Sequence, residues 1–583
     1  GLTPMGSDRC PDRSSALAEA ENLRHLGSWR AGLAPPVVAA CSGLILSGAF
    51  PPVEWDWLAW GALIPLLVLP VSLPPRRRFL TGYAFGLAHF LTSLAWLNEV
   101  GFGDGVLVAV VCALYPMLWY VLYTVLASAL IGPAPRSIKG TDRARRRYSW
   151  DAGNARWCLL VLVLPAGWVA LEWVRAWLFT GFPWNQLGIS QWQRPGLLRL
   201  TTFTGVYGLS FLIVMTNVVL VWIGRSWWLR LRKRQAVGAF SWPVLTAILV
   251  FAAALAGIAR KPVVHGSPDT TLAVAGVQGN MPQSRAARPE QLQTALDVYE
   301  QLTLNIWHED KPDLIVWPET AVPAPAKGDR LYAEMLHSVF ADINCPLLLG
   351  TIDYRPLADG GKDSYQSFNS VFLLSPAGRL EEYYDKIHIV PFGEFVPFGD
   401  HLPWLVDWIG MGRSLTRGNV YTLFELPRDT RAGVNICYED VFPRISRRFV
   451  RRGAHLLMTL TNDAWYAESA GSRQHMIHAV FRAVENQRPL FRSGNNSDTC
   501  LILPNGRVHG LLYDRTTGNR FVRGARTYQV PVWKKLPLTF YTRFGNLFAH
   551  ACTGVTAITV VSLLYRHVQR KRGLLEKITD TTR

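Results

Sequence analysis

The sequence predicts a multi-span α-helical membrane bundle joined to an extracytoplasmic α/β layered domain. Three observations carry that prediction. The chain is apolar and basic together: 49% of its 583 residues are hydrophobic, 17% are charged, and the formal net charge is +18. Its first 259 residues hold a series of apolar stretches matched to the ~30 Å of bilayer hydrocarbon. From residue 270 onward, short β-rich runs alternate with helical patterns, the mark of strands and helices layered in one domain. So apolar a composition excludes a disordered chain. Basic runs placed between apolar stretches, with no interleaved aromatics, exclude a nucleic-acid binder. The eight cysteines include no C-x-x-C pair, which excludes a disulfide scaffold and argues against structural zinc.

The apolar stretches lie near 34–50, 57–73, 79–98, 106–131, 157–179, 206–224, 241–259 and 547–565. The first 30 residues lack the apolar core of a signal peptide. Basic residues cluster in alternate connections: Arg76-Arg77-Arg78, then Arg143 with Arg145-Arg146-Arg147, then Arg230 with Arg232-Lys233-Arg234, and finally Arg566, Arg570, Lys571 and Arg572. The connections at 51–56 and 99–105 carry no Lys or Arg. The positive-inside rule then expects a cytoplasmic segment 1–33, a transmembrane domain 34–259 of about seven helices, an extracytoplasmic domain 260–546, a last span 547–565 and a basic cytoplasmic tail 566–583. Glu172 and Arg175, three apart in the fifth stretch, share a helix face. They read as an ion pair or as a contact to a lipid headgroup. Residues 180–186 read as an aromatic, turn-rich loop at the outer interface.

In the second half, strands are expected at 272–278, 314–317, 347–351, 370–374, 432–437, 456–461 and 499–503. Helices are expected at 289–308, 330–341, 440–451 and 473–487. Three constellations stand out. In Leu314-Ile315-Val316-Trp317-Pro318-Glu319 an apolar strand ends in a carboxylate. The run from Asp385 and Lys386 to Gly393, Glu394 and Phe395 sets a lysine and a glutamate in a bent aromatic loop. In Gly433-Val434-Asn435-Ile436-Cys437-Tyr438-Glu439 an apolar strand ends at a cysteine. Ligands of open α/β sheets gather at the carboxyl ends of strands. A thiol attacks only as thiolate and so needs a base or a nearby cation. Glu319 could take the thiol proton, and Lys386 could stabilise first the thiolate and then an oxyanion. Cys437, Glu319 and Lys386 together can perform acyl transfer. Outside the stretches the cysteines are Cys345, Cys437 and Cys500, an odd number that leaves a free thiol. His475 and His478 could share a helix face as metal ligands, but no partner carboxylate motif accompanies them, so packing or hydrogen bonding is the expectation. No cofactor and no metal are expected.

At these motifs the domain resembles the nitrilase superfamily, whose Glu–Lys–Cys triad acts on carbon–nitrogen bonds and acyl groups. Fused to apolar spans, it is similar to that superfamily's membrane-embedded branch, the apolipoprotein N-acyltransferases. The segments that carry the likeness are Val277-Gln278-Gly279-Asn280, Trp317-Pro318-Glu319, Lys386 through Pro397, Ile436-Cys437-Tyr438-Glu439 and Thr461-Asn462-Asp463-Ala464-Trp465. Glu172-Trp173-Val174-Arg175 and Gly181-Phe182-Pro183-Trp184 match in the apolar half. The resemblance implies an αββα sandwich. It implies a phospholipid acyl donor, a thioester on Cys437, and a diacylated apolipoprotein whose N-terminal α-amine accepts the chain. Glu319 would be base and acid, Lys386 the oxyanion stabiliser, and Glu394 a support for Lys386. Tyr438 and Glu439 would shape the pocket. It also implies a bacterial inner membrane with the catalytic domain on the periplasmic side. Two departures stand out: Ala286-Ala287 where an aromatic is usual, and Ser497-Asp498 where a glycine is usual. The rival readings are a membrane-tethered amidase hydrolysing a small amide, and a lipid-binding protein or transporter with an inactive outer domain.

Overall fold

The computed structural model describes residues 34–101, 103–131, 142–233, 242–259, 266–282, 289–357, 365–399, 401, 404, 414–496 and 498–581. Expectations for 1–33, 132–141, Ala286-Ala287 and Ser497 lie outside these residues. Among the described residues, four helices are long and apolar enough to cross a membrane: Asp104–Leu130, Arg156–Arg175, Tyr207–Trp228 and Leu547–Gln569. Shorter apolar helices are Ala34–Ser47 and Trp242–Ala256. A 19-residue helix, Pro75–Ser93, starts on its own proline and the three arginines, where a missing N–H costs nothing. The stretch 57–73 differs from expectation. It forms a 3₁₀ turn, Asp56–Trp60, and a single helical turn, Ile64–Leu67. Gly61, Pro65 and Pro70 interrupt the backbone ladder that a continuous helix needs.

The second half is built on two six-stranded sheets. The first holds β1 (Thr270–Gln278), β2 (Leu314–Val316), β3 (Leu347–Pro356), β4 (Tyr365–Leu374), β5 (Leu380–Asp385) and β12 (Gly524–Val532), in the order β12-β1-β2-β3-β4-β5. The second holds β6 (Leu423–Leu426), β7 (Thr430–Ile436), β8 (Leu456–Thr461), β9 (Leu490–Gly494), β10 (Cys500–Ile502) and β11 (Val508–His509), in chain order. In each sheet the central pairs are parallel, β1–β2–β3 and β7–β8–β9, and antiparallel pairs close the edges. Alternation sets the layers. Leu314 and Val316 of β2 join Val434, Leu457 and Phe491 of the other sheet in one buried cluster. Ile315 and Trp317 turn the other way, onto Tyr299 and Tyr332 of helices Pro289–Asp310 and Arg330–Asp342. Helices Pro443–Arg451 and Ala470–Asn486 cover the second sheet. The result is the expected αββα sandwich.

The helix Ala470–Asn486 joins the halves. Nearly every residue in it is buried, polar ones included, because a sheet covers one side and the apolar helices the other. Gln474 Oε1 accepts hydrogen bonds from the indoles of Trp96 and Trp184 at 2.9 and 2.8 Å. Its amide donates to Pro51 O and Ser93 O. Trp184 is therefore fully buried, and the expected outer-interface loop is a plug between the two halves. Glu172 and Arg175 build that plug. Glu172 Oε1 accepts from Trp168 Nε1 and Leu187 N, while Arg175 donates to Phe182 O and Trp184 O.

Candidate active site

Each of the three constellations ends a strand at the same end of the sandwich. Glu319 follows β2 beyond Trp317-Pro318. It packs against Gly350 of β3, where a Cβ would stand 2.5 Å from Pro318 O, so only glycine lets this loop settle. Lys386 follows β5. Its backbone N–H donates to Asn369 O and its carbonyl accepts from Gly418 N, both at 2.8 Å. Cys437 follows β7 with φ 50°, in the left-handed region where a side-chain-bearing residue is strained. That turn carries the thiol off the strand at its carboxyl end. Cys345, Cys437 and Cys500 are all free thiols.

The side chains converge. Lys386 Nζ lies 3.3 Å from Glu319 Oε1 and 2.8 Å from Glu394 Oε1. Glu319 Oε1 also accepts from Asn369 Nδ2 at 2.8 Å, and its Oε2 accepts from the Asn462 backbone N–H at 2.9 Å. Glu394 takes further bonds from Asn369 Nδ2 and Val390 N. All three charged groups are largely removed from solvent. Burial works against the Lys386 charge, but Glu394 and then Glu319 hold its ammonium well above the ordinary range. Burial, and next the charge of Glu319, push the Cys437 thiol well up, while Lys386 pulls it down. The resting arrangement is thus a neutral thiol beside a lysine held charged between two carboxylates.

Glu439 locks two of the constellations together. Its carboxylate accepts from the backbone N–H groups of Ile387 at 2.7 Å, His388 at 3.0 Å and Ile436 at 2.8 Å, and from the Tyr384 hydroxyl. Burial pushes its carboxyl up to about 7 against these donors. It fixes the lysine loop to the cysteine turn rather than meeting a substrate. Tyr438 has its hydroxyl 3.4 Å from Gly181 O and its ring stacked 6.1 Å from Trp184. The helical half therefore reaches the residue beside the thiol.

Some participants gave little signal in sequence. Asn369 lies within β4 among Gln366, Ser367 and Ser370, so its polarity alone does not single it out. Behind Cys437, His475 Nδ1 lies 2.8 Å from Asp463 Oδ1, and its Nε2 lies 3.2 Å from Cys437 O and 3.0 Å from Asp440. Arg492 bonds Asp440 at 3.1 Å and Asp463 at 2.7 Å. Burial disfavours an imidazolium there, yet Asp440 and Asp463 raise His475 to about 9. Cys437, Asp463 and His475 offer atoms within 4.8 Å of one another that could hold a metal ion. A protonated imidazole has no lone pair to give, and Arg492 already neutralises Asp463, so the set fits a hydrogen-bonded brace better than a cation. His478 packs its ring 5.0 Å from Trp184. Asp498, at the second sequence departure, adopts φ 52° and binds Arg520 at 2.6 and 2.8 Å. It holds the left-handed turn that glycine would otherwise supply.

Comparison with known proteins agrees with this construction in both halves. The family model described as the apolipoprotein N-acyltransferase N-terminal domain matches residues 42–219, and the carbon–nitrogen hydrolase model matches residues 273–519. An apolipoprotein N-acyltransferase of Geobacter metallireducens is 33% identical over 532 residues, covering 91% of this chain and 95% of its own. The chain belongs to the apolipoprotein N-acyltransferase family. Another member, from Vibrio vulnificus, is 31% identical and covers 81% of this chain and 87% of its own. Family membership accounts for the union of apolar helices with a nitrilase-like sandwich. It extends through the helical half, so the plug around Trp184 lies within the matched region.

Proposed function

We propose that the protein transfers a fatty acyl chain from a phospholipid, through a thioester on Cys437, to the N-terminal α-amine of a diacylglyceryl-cysteine on an apolipoprotein. Glu319 takes the thiol proton as sulfur attacks the ester carbonyl. The carbonyl–oxygen bond then breaks, Glu319 returns the proton to the departing glycerol oxygen, and a lysophospholipid leaves. In the second half the amine attacks the thioester carbon, its proton passes to Glu319, and the carbon–sulfur bond breaks as the thiol is re-protonated. An ammonium has three protons to donate; two of those on Lys386 face Glu319 and Glu394. The third is free for the oxyanion of each tetrahedral intermediate. Glu394 orients Lys386, Glu439 fixes the loop, and Tyr438 shapes the pocket.

The observation that carries this reading is the family match across both halves, joined to a neutral thiol beside a charged, carboxylate-bridged lysine. Lipid substrates also give the helical half a physical purpose. Lifting acyl chains from a bilayer costs about 0.8 kcal/mol per CH₂, a cost avoided when helices beneath the site keep the chains in hydrocarbon. The expected setting is a bacterial inner membrane with the sandwich on the periplasmic side. Incubating the full chain with phospholipid and a diacylated lipopeptide tests the proposal. An N-acylated peptide is the expected product. Free fatty acid with unmodified peptide would identify a hydrolase instead, and no product from either substrate would identify a binder.

A further inference from the structure

A cavity of about 510 Å³ lies between the halves. Its floor includes Trp173 and Trp177, at the end of the long helix Asp142–Arg175, and Asn546, just before the last helix. Its walls include His388, Arg417 and Arg444 from the catalytic domain. Nothing in the triad chemistry above uses these three.

Their chemistry points to an anion. Arg444 Nη2 lies 2.8 Å from His388 Nδ1. A guanidinium can only donate, so Nδ1 accepts and the ring's proton sits on Nε2. That Nε2 is buried without a partner, on a residue 7% exposed. Burial, then Arg444, Lys386 and Arg417, drive His388 down to about 3, so the ring stays neutral and keeps that donor. Among the described residues no carboxylate forms a salt bridge with Arg417 or Arg444, and burial and the nearby Arg417 both work against the charge of Arg444. Besides His388, Arg444 meets the Phe442 ring, 4.9 Å from its guanidinium carbon. The orphaned N–H is costly as folded, and beside it stand two solvent-exposed guanidiniums with no carboxylate salt bridge among the described residues. A bound phosphate would satisfy all three with charge-assisted hydrogen bonds.

Position narrows the source. The Tyr438 ring is 5.9 Å from the His388 ring, and Tyr438 follows Cys437. The cavity therefore begins about one side chain from the nucleophile. Its other wall is tryptophan at the end of an apolar helix, the level at which headgroups lie. We infer that His388, Arg417 and Arg444 form the phosphodiester subsite that holds the acyl donor's headgroup while its ester reaches Cys437. This rests on the acyl-transfer reading above, which supplies the donor.

The test reads binding alone. The full-length Cys437→Ala chain in neutral detergent is titrated with dipalmitoylphosphatidylglycerol, with dipalmitoylglycerol, and with inorganic phosphate as competitor. The phospholipid should bind at least about tenfold tighter than the diacylglycerol. Arg417→Gln and Arg444→Gln should each weaken phospholipid about tenfold and diacylglycerol less than about twofold. Arg417→Glu, at an exposed position that folding tolerates, should weaken phospholipid further. Equal affinity for the two lipids, or equal weakening of both by the variants, overturns the inference. Phosphate displacing the lipid at the lipid's own concentration overturns the headgroup source. Because this variant forms no thioester, the subsite can stand even where wild-type acyl transfer fails, so the two claims fail separately.

Discussion

Lys386 has three protons to give and two carboxylates already receiving them. That geometry makes its role sharply testable. Lys386→Ala leaves Glu319 and Glu394 facing each other without a cation and takes away the oxyanion donor. The rate of acylation by phospholipid should fall ~10²–10³-fold or more. Glu319→Gln should be as damaging, because a neutral amide cannot accept the proton of a thiol that burial keeps protonated. With expression matched, near-wild-type acylation in either variant would refute that residue's role. Glu394→Gln should cost less than either, since Glu319 still holds the ammonium. The left-handed turn at Cys437 and the four-donor clamp on Glu439 explain how these groups are brought together.

The helix Ala470–Asn486 is the element on which both halves depend. Gln474→Leu would leave two indole N–H groups and two carbonyls without partners at a dry junction, at ~1–3 kcal/mol each where water cannot enter. The melting temperature in detergent should fall by several degrees; an unchanged value would mean the junction is wet or loose. His475 on the same helix adds a pH dependence. Its ordinary pKa of 6.5 rises to about 9 in the fold. The stabilisation is therefore complete below about 6.5 and is lost as pH climbs through about 9. Melting temperature should drop between about pH 8 and 10, and His475→Gln should start lower and lose less over that interval. Elements of this kind were only partly legible in sequence. β2 and β8 stand in the sequence as largely apolar runs because both of their faces are buried. β5 carries Glu381, Glu382 and Tyr383 on an exposed edge, β9 buries Arg492 in its middle, and β12 contains Pro531, tolerated only at an edge. In β5 and β9 these charges mask the periodicity of a strand, and in β12 the proline argues against one. The triad was legible because Glu319 and Cys437 each end a largely apolar strand and Lys386 opens a bent aromatic loop. Hydrogen bonding by His475 was expected and Asp463 stood in a matched segment, but Asn369 and the joining of His475 to Asp440, Asp463 and Arg492 were not legible, because their partners come from distant strands and helices.

At the scale of the molecule, apolar helices and the sandwich share one continuous buried cluster, and loops of both halves expose large aromatics: Trp55, Trp57, Trp177, Phe179, Phe392 and Phe398. Such residues suit a membrane–water interface. With the basic connections cytoplasmic, a reporter active only outside the cytoplasm and fused after residue 260 should be active. Activity of a cytoplasm-only reporter at that junction would reverse the expected orientation. Pro65 and Pro70 are the sequence signal of the break in the stretch 57–73, which hydropathy alone passes over because the composition stays apolar. The buried loop at Trp184 was hidden for a related reason: an aromatic turn has the same composition at a headgroup surface as between two domains. A transferase must hold its acyl chain until the amine arrives, with water kept from the thioester carbonyl. Intact-protein mass spectrometry tests this directly. Mixed with phospholipid alone, the enzyme should gain one fatty-acyl mass on Cys437. The adduct should persist without acceptor, be released by hydroxylamine and discharge when lipopeptide amine is added. An adduct on Cys345 or Cys500, or one on Cys437 that water removes within seconds without acceptor, would contradict the transferase mechanism.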